Sequence, residues 1–122
     1  MRLNFASDKP IYLQLAEAIE DDILKGIFEE NGQVASTTEL AVSLRINPAT
    51  AGKGLNLLVD EGILFKKRGV GMFVAVGARE MILQKRKETF YQDYVMKLLD
   101  EASKINIPIE EVIAMIERGR VS

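Results

Sequence analysis

The sequence contains no cysteine and no histidine. Those absences exclude disulfides, thiol catalysis, zinc held by Cys or His, and imidazole acid–base chemistry. An enzyme made from this chain would have to work with carboxylates, Lys, Tyr or Ser alone, and no cofactor or metal is expected. No stretch approaches the roughly 20 apolar residues of a membrane span. The opening residues, Met1-Arg2-Leu3-Asn4-Phe5, hold no apolar signal-peptide core. The expectation is a cytoplasmic protein with no membrane partner. What the chain does have is 122 residues, 48% of them apolar. That is enough for a core, at a length that suits one domain or a small domain with an appendage.

Positive charge is outnumbered overall, 16 basic residues to 18 acidic, for a net charge of −2. Its distribution is uneven. Residues 1–44 hold three basic and eight acidic side chains, residues 45–87 nine and three, and residues 88–122 four and seven. A basic middle between acidic ends is what a local phosphate-binding face needs. Neutralised phosphates release counterions only where contact is made, so a local patch suffices. Charge alone fits a solvated face equally well.

Hydrophobic spacing predicts a first helix over Pro10 to Lys25, with Tyr12, Leu15, Ile19 and Ile23 as its buried stripe and Gly26 as its stop. Glu17, Glu20, Asp21 and Asp22 lie mostly off that stripe. They could mimic an acid–base cluster or a metal site, but carboxylates on an amphipathic helix read first as a solvated face. Glu29 to Gln33 reads as a polar turn around Asn31-Gly32. Ser36-Thr37-Thr38-Glu39 has the form of a capping box and opens a second helix with Leu40, Ala41 and Leu44 on its apolar face. After the break at Arg45-Ile46-Asn47, Asn47-Pro48 opens a third helix by N-cap and first-turn preference. Its buried positions are Ala51, Leu55, Leu58 and Val59, and Gly62 closes it. Two short helices joined by so tight a turn match a helix-turn-helix, although any small helical hairpin shares the spacing.

The next segment separates those readings. Ile63–Lys67 and Met72–Val76 read as strands, joined by a turn over Arg68-Gly69-Val70-Gly71. The hairpin gathers Lys66, Lys67 and Arg68 at its tip. A basic hairpin straight after a recognition-type helix is a wing, suited to phosphates or a minor groove. Gly69 and Gly71 lie between two strands with no helix N-terminus after them, so they do not make a nucleotide loop. Residues 78–104 carry a long helical pattern, with Leu83, Phe90, Tyr91, Tyr94, Val95, Leu98 and Ala102 at three- and four-residue spacings. Ile105-Asn106-Ile107-Pro108 breaks it. A last helix follows, with Ile109, Val112, Ile113 and Ile116 as its apolar positions and Gly119 as its end. Two tail helices cannot bury both apolar stripes on each other and still cover the winged domain. A two-fold dimer is the economical solution; packing of the tail on its own domain is the alternative.

The order helix, helix-turn-helix, wing and short helical tail resembles the GntR family of bacterial regulators, and the tail length resembles its small YtrA-type subfamily. Six blocks carry the resemblance in order: Pro10-Ile11-Tyr12-Leu13-Gln14-Leu15, Gly26-Ile27-Phe28, Ser36-x-x-Glu39-Leu40-Ala41, Asn47-Pro48-x-Thr50, Leu58-x-x-Glu61-Gly62-Ile63-Leu64, and Arg68-Gly69-x-Gly71-x-Phe73-Val74. Val34-Ala35 departs from the family's Leu-Pro, and Thr38 stands where the family usually has a DNA-gripping Arg. Gly52 and Gly54 inside the third helix each cost roughly 1 kcal/mol against Ala, and nothing in the sequence explains them.

The fold class so implied is α+β, mainly α: a winged helix-turn-helix over residues 1–77 and a two-helix dimerisation tail over 78–122. The implied activity is sequence-specific DNA binding by a homodimeric repressor on a near-palindromic operator, in control of a neighbouring transporter operon. Ala49, Thr50, Lys53 and Asn56 would face the major groove, beside Asn47. Ser36, Thr37 and Thr38 would meet phosphate, Arg45 would add charge, and Lys66, Lys67, Arg68 and Gly69 would form the wing contact. Leu83, Phe90, Tyr91, Tyr94, Val95, Leu98, Ile109, Val112, Ile113 and Ile116 would form the dimer interface. Only about 45 residues follow the wing, too few for an enclosed effector pocket of the usual size. A small effector between tail and winged domain is left open. The rival reading is a winged-helix module that binds protein instead of DNA. The fold alone allows it, and the basic middle opposes it, because protein interfaces deplete Lys at their core.

Overall fold

Pro10 fixes the entry to the first helix. Its carbonyl accepts the backbone N–H of Leu13 (3.1 Å) and of Gln14 (3.2 Å) and so starts α1 (Ile11–Leu24). A computed structural model describes residues 1–120; the last two residues of the expected tail lie outside them. Gln14 ties the preceding segment down. Its Nε2 donates to the carbonyls of Asn4 and Lys9, both at 2.9 Å, and its Oε1 accepts from Asn4 N–H at 2.7 Å. Leu15, Ala16, Ile19, Glu20 and Ile23 are the buried residues of α1. Two expectations change here. Tyr12, at the end of the stripe, is half-buried where the helix runs out onto the surface, and Glu20 is buried on the inner face.

The chain divides into two compact units, Met1–Leu83 and Gln84–Ser122. In the first, α1, α2 (Thr37–Leu44) and α3 (Pro48–Asp60) enclose one core with a three-stranded antiparallel sheet. Its strands are β1 (Gln33–Val34), β2 (Leu64–Lys67) and β3 (Gly71–Val74), in the order β1-β3-β2. Strand β1 starts at the last residue of the expected polar turn, where no strand is expected; it pairs Gln33 with Phe73 and Val34 with Met72. Leu15, Ile19, Leu55, Leu58, Ile63, Leu64, Val74 and Ile82 are all but inaccessible to solvent. The first unit extends past residue 77 because Ala78 and Ile82, in the first turns of α4 (Ala78–Phe90), are fully buried in this core.

Gly54 explains the close packing of α3 on α1. A Cβ there would come within 2.9 Å of the Tyr12 carbonyl oxygen and 3.2 Å of Leu15 Cδ2. Only a residue without a side chain lets α1 and α3 approach so closely. Gly52 is different: a Cβ there would meet only Thr37 Cγ2, at an ordinary 3.7 Å.

The second unit contains the end of α4, a π-helical turn over Tyr91–Val95, α5 (Met96–Lys104) and α6 (Ile109–Gly119). The π turn interrupts the helix expected to run unbroken over 78–104, and within it Met96 N–H reaches back to the Tyr91 carbonyl. Asn106, with φ 59°, ends α5 in the left-handed conformation, and Ile107 N–H returns to the Ala102 carbonyl at 2.8 Å. A residue in that conformation is a common way to satisfy a helix's last carbonyls.

Candidate nucleic-acid interface

The helix-turn-helix is built by two caps and one turn. Ser36 Oγ accepts from Glu39 N–H (3.1 Å) while Glu39 Oε1 accepts from Ser36 N–H (3.2 Å), which closes the expected capping box. Asn47 Oδ1 accepts from Ala49 N–H (2.7 Å) with Pro48 at the first helical position. Between them, Arg45 adopts φ 55°, ψ 48° and ends α2, and Ile46 N–H closes onto the Ala41 carbonyl at 3.0 Å. A left-handed backbone costs an ordinary L-residue roughly 1–2 kcal/mol, so the turn holds an arginine where glycine would be less strained.

These caps present one side of α3. Ala51, Gly54, Leu55 and Leu58 are buried, while Pro48, Ala49, Lys53 and Asn56 are exposed and Thr50 is half-buried. Ala49, Lys53 and Asn56 border a hollow of about 540 Å³, shared with Tyr12, Gly52, Leu57 and Asp60. Lys53 Nζ stands 4.1 Å from the centre of the Tyr12 ring. Tyr12, which the sequence analysis assigns to the buried stripe, thus joins the candidate residues. Its signal was the opening motif around Pro10 and Gln14, not periodicity.

At the start of α2, Thr38 is exposed and Ser36 and Thr37 are half-buried. Ser36 Oγ is occupied as an acceptor by the cap, and its hydroxyl proton is left to donate outward. Asn47 likewise spends its carbonyl oxygen on the cap and keeps its amide N–H groups.

The wing differs in detail from a single basic tip. Leu64 opposes Val74, Phe65 opposes Phe73, Lys66 opposes Met72 and Lys67 opposes Gly71. Side chains alternate along a strand, so Lys66 leaves on the face of Leu64, Met72 and Val74, and Lys67 on the opposite face with the two phenylalanines. The phenylalanine rings stack at 5.8 Å, and Lys67 Nζ lies 4.5 Å from the Phe73 ring centre. Adjacent in sequence, the two lysines serve different faces. Arg68 and Gly69 are exposed in the turn, with Gly69 at φ 76°. The turn is anchored by Gln33, whose Nε2 donates to the Val70 carbonyl at 3.1 Å. Gly71, at φ 142°, lies so close that a Cβ would come within 2.6 Å of the same Nε2.

In the second unit, Phe90, Tyr91, Tyr94, Leu98, Ile109, Ile113 and Ile116 are exposed, from 45% at Leu98 to 66% at Tyr94. Phe90 and Tyr94 touch, with ring centres 5.3 Å apart. Val95 is half-buried, and Leu83 is half-buried at the end of the first unit. Val112 departs from the expected interface set. It is 5% exposed, and it lines an apolar groove of about 260 Å³ with Leu98, Ala102, Ile105 and Ile116. It therefore belongs to the packing of α6 within its own unit. Among the described residues no group of His, Cys, Asp and Glu is arranged to hold a metal, and no helix is long and apolar enough to cross a membrane.

Comparison with known proteins places this geometry. The sequence pattern of the family described as "Bacterial regulatory proteins, gntR family" matches residues 11–74, from the start of α1 to the end of β3. The HTH-type transcriptional repressor YtrA of Bacillus subtilis (strain 168) is 28% identical over 106 residues, which cover 87% of this chain and 81% of that protein. A crystal structure of a GntR-family transcriptional regulator from Bacteroides thetaiotaomicron is 37% identical, with a TM-score of 0.68 over 88% of this chain and 94% of that one. AraR(DBD), solved in complex with operator ORX1, is 27% identical with a TM-score of 0.55 over 62% of this chain and 93% of that one. Some curated relatives are much longer: the chain spans 30% of one regulator to which it is 36% identical.

Proposed function

The chain belongs to the gntR family of bacterial regulatory proteins, and from that premise we propose how this DNA-binding transcriptional regulator, which is not an enzyme, grips its operator. Each subunit lays the first turns of α3 in a major groove. Asn56 and Lys53 reach base edges there, and the methyl groups of Ala49 and Thr50 meet thymine methyls. The start of α2 meets phosphate through Thr37, Thr38 and the hydroxyl of Ser36, Arg45 adds charge at the turn, and the amide of Asn47 lies beside them. Arg68 and Gly69 lead the wing to the backbone or minor groove, with one of the flanking lysines on each face.

One observation carries the reading. A single helix is sealed on one side by Ala51, Gly54, Leu55 and Leu58 and bare on the other at Ala49, Lys53 and Asn56. A protein-only docking module would not need those polar groups on the open side of α3 with a wing that presents Arg68 and Lys66. The homodimer is the second part of the proposal. Leu98 of α5 and Ile109, Ile113 and Ile116 of α6 are exposed apolar side chains, and a second copy is the economical cover. Two-fold symmetry then requires a near-palindromic operator with half-sites about one helical turn apart. The action is repression in the cytoplasm, of an operon that includes a transporter; this part rests on likeness to the YtrA-type regulators.

Duplexes selected from a random pool by the full chain test all of this. The selected sites are expected to be near-palindromes, bound by a particle of about twice the chain mass in light scattering. Lys53→Ala is expected to weaken binding about tenfold or more and to relax one base position. Arg68→Ala weakens all duplexes alike and lowers the salt slope by about one. Selection of no sequence, or full affinity in both variants, overturns the reading.

A further inference from the structure

The contact between Lys53 and Tyr12 lies outside the helix-turn-helix proper, because Tyr12 belongs to α1. It exists through a specific packing arrangement. Gly54, next to Lys53, has no Cβ to collide with the Tyr12 carbonyl, so the first turn of α1 sits against α3. That brings the Tyr12 ring beside the exposed face of α3 and leaves it half-buried, with one face toward the hollow. Lys53 then lays its ammonium 4.1 Å from the ring centre, within the range of a cation–π contact. Gly52, also on the hollow, places no side chain that would displace it.

We propose that Tyr12 is a positioning residue for base reading: its ring holds Lys53 in one conformation over the hollow before DNA arrives. Lysine loses more rotamer freedom than most side chains when it is fixed. A lysine already held against a ring loses less of it on binding, and such preorganisation raises affinity without any new contact. The ring face takes one side of the ammonium, whose three N–H donors are not all consumed by it. The remaining donors can therefore address an acceptor in the groove while the ring contact persists. Tyr12 thus sets where on the duplex the charge of Lys53 is delivered, which is a matter of specificity more than of total charge.

The proposal rests on α3 being the reading helix, and the test separates the two. Full-length Tyr12→Leu, Tyr12→Phe, Lys53→Ala and the double variant Tyr12→Leu/Lys53→Ala are titrated onto a duplex selected from a random pool, and onto the same duplex with single base changes. Tyr12→Leu is expected to lower affinity for the selected duplex about three- to tenfold and to relax the same base position that Lys53→Ala relaxes. Its affinity for random duplex and its salt slope stay unchanged, because the charge remains. Tyr12→Phe keeps the ring and stays within about twofold of the wild type. In the Lys53→Ala background, Tyr12→Leu adds less than about twofold, since nothing is left to position. Thermal melts show which variants fold, and Tyr12→Phe keeps the test decisive if Tyr12→Leu does not. Additive losses in the double variant overturn the proposal, as does a Tyr12→Phe that fails like Tyr12→Leu, which would assign the role to the hydroxyl. A silent Lys53→Ala overturns it through its premise, and then the reading of α3 falls too.

Discussion

The two units of this chain solve the burial problem differently. The winged unit closes its own core: sixteen apolar residues are buried there, from Leu15 in α1 to Ile82 in α4. In the tail unit, Ala102 and Val112 alone are buried among the described residues, while Phe90, Tyr91, Tyr94, Leu98, Ile109, Ile113 and Ile116 stay at the surface. Leaving one large apolar side chain exposed instead of buried forfeits roughly 1.5–3 kcal/mol. The first unit therefore has the means to fold by itself, and the second has the surface expected of the proposed dimer interface. Large apolar side chains exposed in such number in so short a segment call for a use.

The largest expected effect tests that contrast directly. Leu55→Ala removes a fully buried side chain of α3 from the core and is expected to cost about 2–5 kcal/mol, read as a fall in urea midpoint. Its effect does not depend on protein concentration. Ile113→Asp, at an exposed position of the tail, is expected to leave the winged core intact and to halve the mass seen by light scattering, with weaker operator binding as a consequence. Should Ile113→Asp keep the mass of the wild type, the tail faces are covered by something other than a second copy, and the contrast between the units loses its explanation.

Much of this was legible beforehand, for a local reason. Helix boundaries follow from caps and breakers, and Ser36, Glu39, Asn47, Pro48 and Gly62 act within three or four residues of themselves. The hairpin announces itself by Arg68-Gly69-Val70-Gly71. What was illegible depends on distant partners. Strand β1 has two residues, too few for any period, and exists because Gln33 and Val34 find β3. The burial of Glu20 and the exposure of one face of Tyr12 depend on which elements meet α1. The π turn at Tyr91 leaves no mark in the three- and four-residue spacings of its apolar residues. The split of Lys66 and Lys67 onto opposite faces could have been read from strand alternation alone.

A smaller effect sharpens the comparison within one helix. Gly52 and Gly54 carry the same helix-propensity penalty, yet they stand on opposite sides of α3. Gly54→Ala places a methyl 2.9 Å from the Tyr12 carbonyl and is expected to cost about 1–3 kcal/mol by overpacking. Gly52→Ala has ordinary room beside Thr37 and is expected to gain about 0.5–1 kcal/mol. Urea titration of both variants reads the difference, and equal shifts would mean that α1 does not pack on α3 as described. The gain at Gly52 should come with weaker operator binding, because the added methyl projects onto the hollow-lining face proposed to meet the duplex.

The smallest effect concerns Arg45, where stability and function are expected to part. Its φ of 55° costs an L-residue roughly 1–2 kcal/mol, and glycine adopts that conformation without the Cβ penalty but gives up more chain entropy on folding. The balance predicts that Arg45→Gly raises the stability of the winged unit by about 0.5–1 kcal/mol. A strained arginine at the turn of a helix-turn-helix is then explained by its charge and not by the fold. The same variant should bind every duplex more weakly and lose about one unit of salt slope, as for a lost phosphate contact. Calorimetric melting and a salt titration of the same preparation decide it. A variant that is more stable and binds as before would show that the arginine is strained for no gain in DNA affinity, and the phosphate contact at the turn would have to be reassigned to the hydroxyls of Thr37 and Thr38.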